Sequence, residues 1–135
     1  MSSILRSAPV DFSQAIAADA VALAFIKNTS EGFSFQGPGT LIKDIEKHFD
    51  INLDDELSFF SPTGKAGELF EIPVRAKDAQ TNRLYLVSIG DALTPSFRIA
   101  GTAIARKVRG KKVTVYSACA VKNYDVHAHA ISLTM

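Results

Sequence analysis

The chain has 135 residues, 47% of them hydrophobic, with fifteen basic and fourteen acidic side chains and a formal net charge of +1. This length suits one domain with a sizeable apolar core, and the balanced charge argues against a dedicated nucleic-acid or membrane-surface module. The single cysteine, Cys119, excludes an internal disulfide and fits a reducing cytosol. Neither a membrane span nor a signal-peptide layout is visible, so we expect a cytoplasmic protein without a membrane partner.

The N-terminal part of the chain predicts two strands. Residues 2–10 alternate apolar and polar side chains until Pro9, which is typical of an edge strand. Residues 11–19 predict a connecting turn with one helical turn. The continuous apolar run of residues 20–26 then predicts a buried strand.

A loop and a helix are predicted next. Phe33 and Phe35 flank a loop that reaches Gly37 and Gly39. The helix that follows has about three turns, and its apolar face consists of Leu41, Ile42, Ile45 and Phe49.

The middle of the chain predicts mostly irregular structure. Residues 50–56 are predicted to form an acidic loop, residues 57–60 a short strand and residues 63–67 a turn. Residues 68–74 alternate in polarity and predict a strand, and Pro73 within it favours an edge position.

The clearest pattern begins at residue 83 and predicts a β-α-β unit. Residues 83–90 are apolar on both faces, as in a central strand. Thr94 is the expected N-cap of the next helix and Pro95 its first residue. The buried stripe of this helix is predicted to contain Phe97, Ala100, Gly101, Ile104 and Val108.

This helix is expected to end at Gly110, which can adopt the left-handed conformation, and residues 112–117 predict the next strand. A right-handed crossover makes the two strands of the unit parallel. The predicted fold class is therefore α/β, with a mixed, partly parallel sheet flanked by helices.

One candidate ligand site is the loop between the central strand and its helix. Open α/β sheets receive anions at such a strand end and helix N-terminus. The loop lacks a glycine-rich phosphate motif and carries Asp91, which would repel phosphate. The candidate ligand-binding residues, including those of the second glycine loop, are Gly37, Gly39, Gly90 and Thr94.

Two candidate metal sites fail on their ligand patterns. Residues 50–54 resemble the start of a calcium loop, but Asp55 stands where that loop needs glycine. His127, His129 and Cys119 supply too few soft ligands at suitable spacing for a transition metal. We therefore predict neither a metal ligand nor a catalytic residue in this chain, and we interpret Cys119 as a small buried hydrophobe.

The only basic cluster lies at the C-terminal end of the predicted helix that follows Thr94, and just beyond it. Compensation of the helix dipole and solubility explain most of it, but it also forms the candidate nucleic-acid surface. Its members are Arg106, Lys107, Arg109, Lys111 and Lys112.

Three segments resemble the N-terminal domain of the leucyl (cytosol) aminopeptidase family. Thr63-Gly-Lys-Ala-Gly-Glu68 resembles the turn before a strand of that domain, and Arg83-Leu-Tyr-Leu-Val-Ser-Ile-Gly90 resembles its apolar strand ending in glycine. Arg98-Ile-Ala-Gly-Thr-Ala-Ile-Ala-Arg106 resembles the helix that follows. Ser88 departs from the pattern, because relatives more often have glycine there, and this difference bears on loop packing.

The resemblance implies a macro-domain-like fold for residues 1–135 as a single, non-catalytic domain. It also implies a C-terminal catalytic domain outside this sequence, which would bind two divalent metal ions (zinc or manganese) and release N-terminal residues from peptides. The family's N-terminal domain helps to assemble a hexamer and shapes access to the active sites, and in some bacterial members it contacts DNA. A second hypothesis, based on the macro-like topology alone, is a freestanding module that binds ADP-ribose or a similar phosphate.

Overall fold

The computed structural model describes residues 12–29, 32–37 and 40–119, in which a five-stranded sheet lies between two layers of helices. The predicted α/β class with a mixed sheet is confirmed. The strands are β1 (Ala20–Lys27), β2 (Phe33–Gln36), β3 (Leu69–Pro73), β4 (Arg83–Ser88) and β5 (Val115–Ser117). The helices are α1 (Phe12–Ala15), α2 (Leu41–Phe49), α3 (Leu53–Ser58) and α4 (Thr94–Val108). The edge strand predicted for residues 2–10 lies outside the described residues.

β1 and β4 form the centre of the sheet, in the order β2-β1-β4-β3. They run parallel to each other, whereas β2 and β3 are antiparallel to their neighbours. β5 runs parallel to the first residues of β1, on the edge that β2 occupies further along. Because β4 and β5 are both parallel to β1, the predicted parallel direction of the strands joined by α4 is confirmed.

The two faces of the sheet bury different side chains, because successive residues of a strand point to opposite faces. On one face, Val21, Leu23 and Phe25 of β1 pack against α1, α2 and α3. On the other face, the intervening alanines of β1 pack against α4. The chain therefore has two apolar cores, one on each side of the sheet.

α4 follows its predicted apolar stripe, with all five expected residues buried. Its start was predicted wrongly. Leu93 occupies the N-cap position, and Thr94 is the first helical residue. The predicted end is confirmed, since the helix stops at Val108 and Gly110 has a φ of +79°. At 15 residues α4 is the longest described helix, and no helix in the described part is long and apolar enough to cross a membrane.

Three predictions for short elements were wrong. The loop predicted around Phe33 contains strand β2, whose Phe35 pairs with Phe25 of β1. The acidic loop and the short strand predicted for residues 50–60 are replaced by α3. Asn52 begins this helix, and its side-chain Oδ1 accepts the backbone N–H of Asp55 at 2.9 Å. The final strand is also shorter than residues 112–117, since β5 begins only at Val115.

Candidate functional site

The first candidate site lies at the C-terminal ends of the parallel strands β1 and β4. β4 ends at Ser88, and the chain turns through Gly90, with a φ of +54°, before α4 begins at Thr94. Gly90 thus lies in the short loop, and Thr94 is the first residue of the helix that follows it. This is the place at which open α/β sheets usually receive a ligand.

The side chain of Asp91 accepts hydrogen bonds from two donors at the start of α4. Its Oδ1 accepts the backbone N–H of Leu93 at 3.1 Å and the hydroxyl of Ser96 at 2.6 Å. The hydrogen bond from Ser96, followed by that from Leu93, lowers the pKa of Asp91 and so favours its anionic form. A phosphate at this helix N-terminus would meet a fixed negative charge. The geometry therefore gives no support to the phosphate hypothesis at this loop.

A second carboxylate organises the neighbouring loop of residues 63–68, which we call the Glu68 loop. The side chain of Glu68 accepts the backbone N–H groups of Thr63 and Gly64 and the hydroxyl of Thr63, each between 2.8 and 2.9 Å. Partial burial raises the pKa of Glu68, but these hydrogen bonds lower it by more, so the net shift is downward. The loop therefore folds around a negative charge of its own.

The side chain of Ser88 holds the Glu68 loop against the end of β4 through hydrogen bonds. Its hydroxyl donates to the carbonyl oxygen of Gly64 at 2.9 Å and accepts the backbone N–H of Gly90 at 3.2 Å. A methyl group placed on Gly90 would lie 3.1 Å from the Cβ of Ala66, so the two backbones approach closely. These contacts agree with the expectation that Ser88 affects loop packing. Glycine at position 88 would make neither hydrogen bond.

The other predicted glycines do not join this site. Gln36 pairs with Ala24, so Gly37 lies beside the middle of β1, on the edge opposite β4. A Cβ on Gly37 would be 3.3 Å from the side chain of Ile42, in the helix layer opposite α4. Gly39 lies outside the described residues. The four candidate ligand residues therefore do not form one pocket within the described structure.

The predicted basic cluster does come together, at the C-terminal end of α4. All five of its side chains are exposed. Lys107 forms an ion pair with Glu71 of β3, with Nζ and Oε1 3.4 Å apart, and the other four have no ion-pair partner among the described residues. The four members without such a partner are Arg106, Arg109, Lys111 and Lys112.

Cys119 is fully buried in the core beneath α4, which confirms its interpretation as a small hydrophobe. Desolvation raises the pKa of this thiol to about 12, so it stays protonated at neutral pH. The other members of the imagined metal site, His127 and His129, lie outside the described residues. Within the described ranges, no three histidine, cysteine, aspartate or glutamate side chains are grouped so that they could hold a metal ion.

Sequence reasoning missed the roles of Glu68 and of the Asp91 hydrogen bonds. A usable signal existed for Asp91, because aspartate side chains just before a helix commonly accept nearby backbone N–H groups. For Glu68 the signal was a carboxylate directly after a turn with two glycines, whose backbone N–H groups need acceptors.

Comparison with known proteins gives no family for the chain. No family model matches it, and no curated protein matches it closely enough to count as a relative.

Proposed function

We propose that this chain is the non-catalytic N-terminal domain of a cytoplasmic leucyl aminopeptidase-type metallopeptidase. Its role would be in assembly of a hexamer or in access to the active sites. The parent enzyme would release N-terminal amino acids from peptides. Its two divalent metal ions, zinc or manganese, would be bound by the C-terminal catalytic domain, which is the first partner of this chain.

The proposal is supported by contacts between the three segments that resemble the family. The three segments that resemble the family are separated in sequence by up to fourteen residues but contact one another in the fold. Ser88 of the strand segment is hydrogen bonded to Gly64 of the turn segment. A Cβ on Gly67 of the turn segment would lie 2.8 Å from Ile99 of the helix segment. The three likenesses therefore fall on one contiguous part of the fold.

The chemistry of this region favours a scaffold over a reaction centre. Glu68 and Asp91, its two carboxylates with lowered pKa values, each accept two or more hydrogen bonds from the chain itself. They are therefore fixed as anions that hold loops, whereas a general base needs a pKa near neutrality. The proposed contribution of the domain is shape and contact surface.

The test of this proposal is hydrolysis of a leucyl chromogenic substrate by the purified 135-residue chain. We expect no turnover with added zinc or manganese, while a leucyl aminopeptidase assayed in parallel is active. Metal-dependent turnover that a chelator abolishes would contradict a non-catalytic role.

A second candidate function is contact with DNA, and the exposed basic end of α4 favours it. A protein that neutralises phosphates with these side chains releases counterions, so its affinity falls steeply with salt. The matched pair for a test is Lys111→Ala with Lys112→Ala against Lys43→Ala with Lys47→Ala, which removes equal charge from α2. DNA contact predicts salt-sensitive duplex binding that only the first pair weakens, and binding that does not change with salt excludes it.

A further inference from the structure

The charges of the chain are divided between the two helix layers. Residues 44–56, in and between α2 and α3, contain six acidic side chains and one lysine. Residues 93–112, which include α4, contain six basic side chains and no acidic one. The two layers lie on opposite faces of the sheet. Within the described residues, the two helix layers therefore carry opposite net charges, which the net charge of +1 does not reveal.

The acidic layer carries the most exposed large apolar side chain of the described structure. Phe59, just after α3, is 84% exposed, and Phe60 beside it is 38% exposed. The backbone N–H of Phe59 donates to the carbonyl oxygen of Asp55, so Asp55 lies one helical turn before Phe59 on the same side. We call Asp55, Glu56, Phe59 and Phe60 the aromatic-acidic surface.

This surface is held in place by the core. The ring of Phe60 stacks on Phe70 of β3 at 4.9 Å, and Phe70 lies 6.4 Å from Phe25 in the centre of the sheet. Phe59 contacts the edge of Phe60 at 5.4 Å. A row of rings thus leads from the buried core to the surface, and a pre-positioned aromatic side chain loses little entropy when it binds a partner.

The outer face of α4 has the complementary character. Arg98, Ile99, Arg106 and Arg109 lie on it, because their spacing places them within about 100° of one another around the helix. All four are exposed, and Ile99 is 48% exposed. An exposed apolar side chain with guanidinium groups on the same helix face suits an aromatic ring with carboxylates beside it. Arginine attracts both, through ion pairs and through cation–π contact.

We propose that this chain associates head to tail, with the aromatic-acidic surface of one copy bound to the outer face of α4 of the next. The two surfaces lie on opposite faces of one sheet, so a single molecule cannot bring its own pair together. The opposite charges, and an exposed apolar side chain on each surface, select a second copy as the occupant. Such a contact is heterologous, so it closes into a ring or extends into a chain of copies. It would give the proposed assembly role a surface, but it depends only on the 135-residue chain, so its failure leaves the aminopeptidase proposal standing.

The first experiment is sedimentation velocity of the full chain over a wide range of protein concentration. We expect the weight-average mass to rise above the monomer value of 14.6 kDa and to fall back as salt approaches about 1 M, where charges are screened within about 3 Å. Phe59→Ser should leave only monomer. Leu93→Ser is the matched control, because Leu93 is 61% exposed but lies outside both surfaces, and it should associate as wild type does. A wild-type chain that stays monomeric at low salt and high concentration overturns the proposal.

Charge reversal gives a sharper test of the head-to-tail geometry. A chain with Asp55→Arg and Glu56→Arg and a chain with Arg98→Glu and Arg106→Glu should each be monomeric. A mixture of the two should associate again, with the two variants alternating, because each surface of one variant is complementary to a surface of the other. All four changes in one chain should restore self-association. Circular dichroism and thermal unfolding confirm that each variant is folded, and loss of association in the four-fold variant contradicts the geometry.

Discussion

The two faces of the sheet solve the same packing problem in different ways. On the α4 face, the fully buried residues of β1 are Ala20, Ala22 and Ala24, with Ile26 partly buried beyond them, and one long helix covers this face. On the other face, the intervening positions are larger, and three shorter helices with the aromatic side chains of β2 and β3 fill the layer. Small side chains allow close approach of a continuous helix, whereas large ones demand several elements shaped around them.

This comparison shows why one strand can appear uniformly apolar in the sequence and still define two distinct layers. Every residue from Ala20 to Phe25 is fully buried, so hydrophobicity alone does not distinguish the faces. Side-chain volume distinguishes the two faces. We call the face with Val21, Leu23 and Phe25 the large face and the face with Ala20, Ala22 and Ala24 the alanine face. The stability of the fold should therefore fall when side-chain volume is removed from the large face or added to the alanine face.

The largest effect should follow from Phe25→Ala on the large face. Phe25 is fully buried and its ring neighbours Phe33, Phe35 and Phe70. Its removal leaves a cavity among these rings, and we expect the free energy of unfolding to fall by about 3–5 kcal/mol. Urea denaturation measures this loss, and Phe59→Ala at an exposed position is the control. A loss below about 1 kcal/mol would mean that this face closes around the cavity.

A smaller loss should follow from Ala24→Leu on the alanine face. Ala24 is fully buried in the α4 core, so the added methylene and methyl groups would force α4 away from the sheet. We expect destabilisation of about 1–3 kcal/mol. The same denaturation experiment measures it, with Leu23→Ile as a volume-conserving control on the opposite face. Unchanged stability would show that the alanine face has spare room and that the contrast between the faces is not one of volume.

Acid should weaken the hydrogen bonds that Asp19 accepts at the N-terminal end of β1. Asp19 accepts the backbone N–H of Thr114, before β5, and the side-chain amide of Gln80, before β4. The hydrogen bond from Thr114, then that from Gln80, lowers the pKa of Asp19 below its ordinary value. A carboxylate with a lowered folded-state pKa stabilises the fold above its unfolded pKa of about 3.9 and loses that contribution as the pH falls through the folded value.

Asp19→Asn should therefore reduce stability at neutral pH and flatten the fall in stability below about pH 4. Denaturation curves at a series of pH values test this. Glu68 and Asp91 also have lowered pKa values, so part of the acid dependence should remain in the variant. Parallel pH profiles for variant and wild type would show that Asp19 does not act through its charge.

The smallest effect should come from Tyr85→Phe in the α4 core. Tyr85 is fully buried, and its hydroxyl has no hydrogen-bond partner among the residues that the structure describes. A buried hydroxyl without a partner is costly, so its removal should leave the free energy of unfolding unchanged or raise it. A clear loss of stability would show that the hydroxyl binds a group or a water molecule in solution.

The sequence predicted the elements whose apolar residues recur over many positions. β1, β4, α2 and α4 were found because their periodicity extends over six or more residues. β2 and α3 were missed because they have four and six residues, and in α3 the acidic first turn was interpreted as a solvated loop. Asn52 as a capping residue, with Leu53 and Leu57 one turn apart, was the available sign of that helix.

The position of the candidate site was predicted from the sequence, but the hydrogen bonds within it were not. The position of Gly90 and Thr94 follows from the order of the strand and the helix, which sequence patterns give. The hydrogen bond from Ser88 to Gly64 depends on the approach of a loop 24 residues away, and no local pattern specifies that approach. Contacts of this range are therefore the part that required the structure.

The most direct test of the central claim is to isolate the native protein from its source with an antibody raised against this chain. Its mass and its leucyl aminopeptidase activity are then measured together. The proposal predicts a polypeptide much larger than 14.6 kDa, with hydrolysis that a chelator abolishes. A native polypeptide of 14.6 kDa without such activity would contradict it and would make binding the leading function.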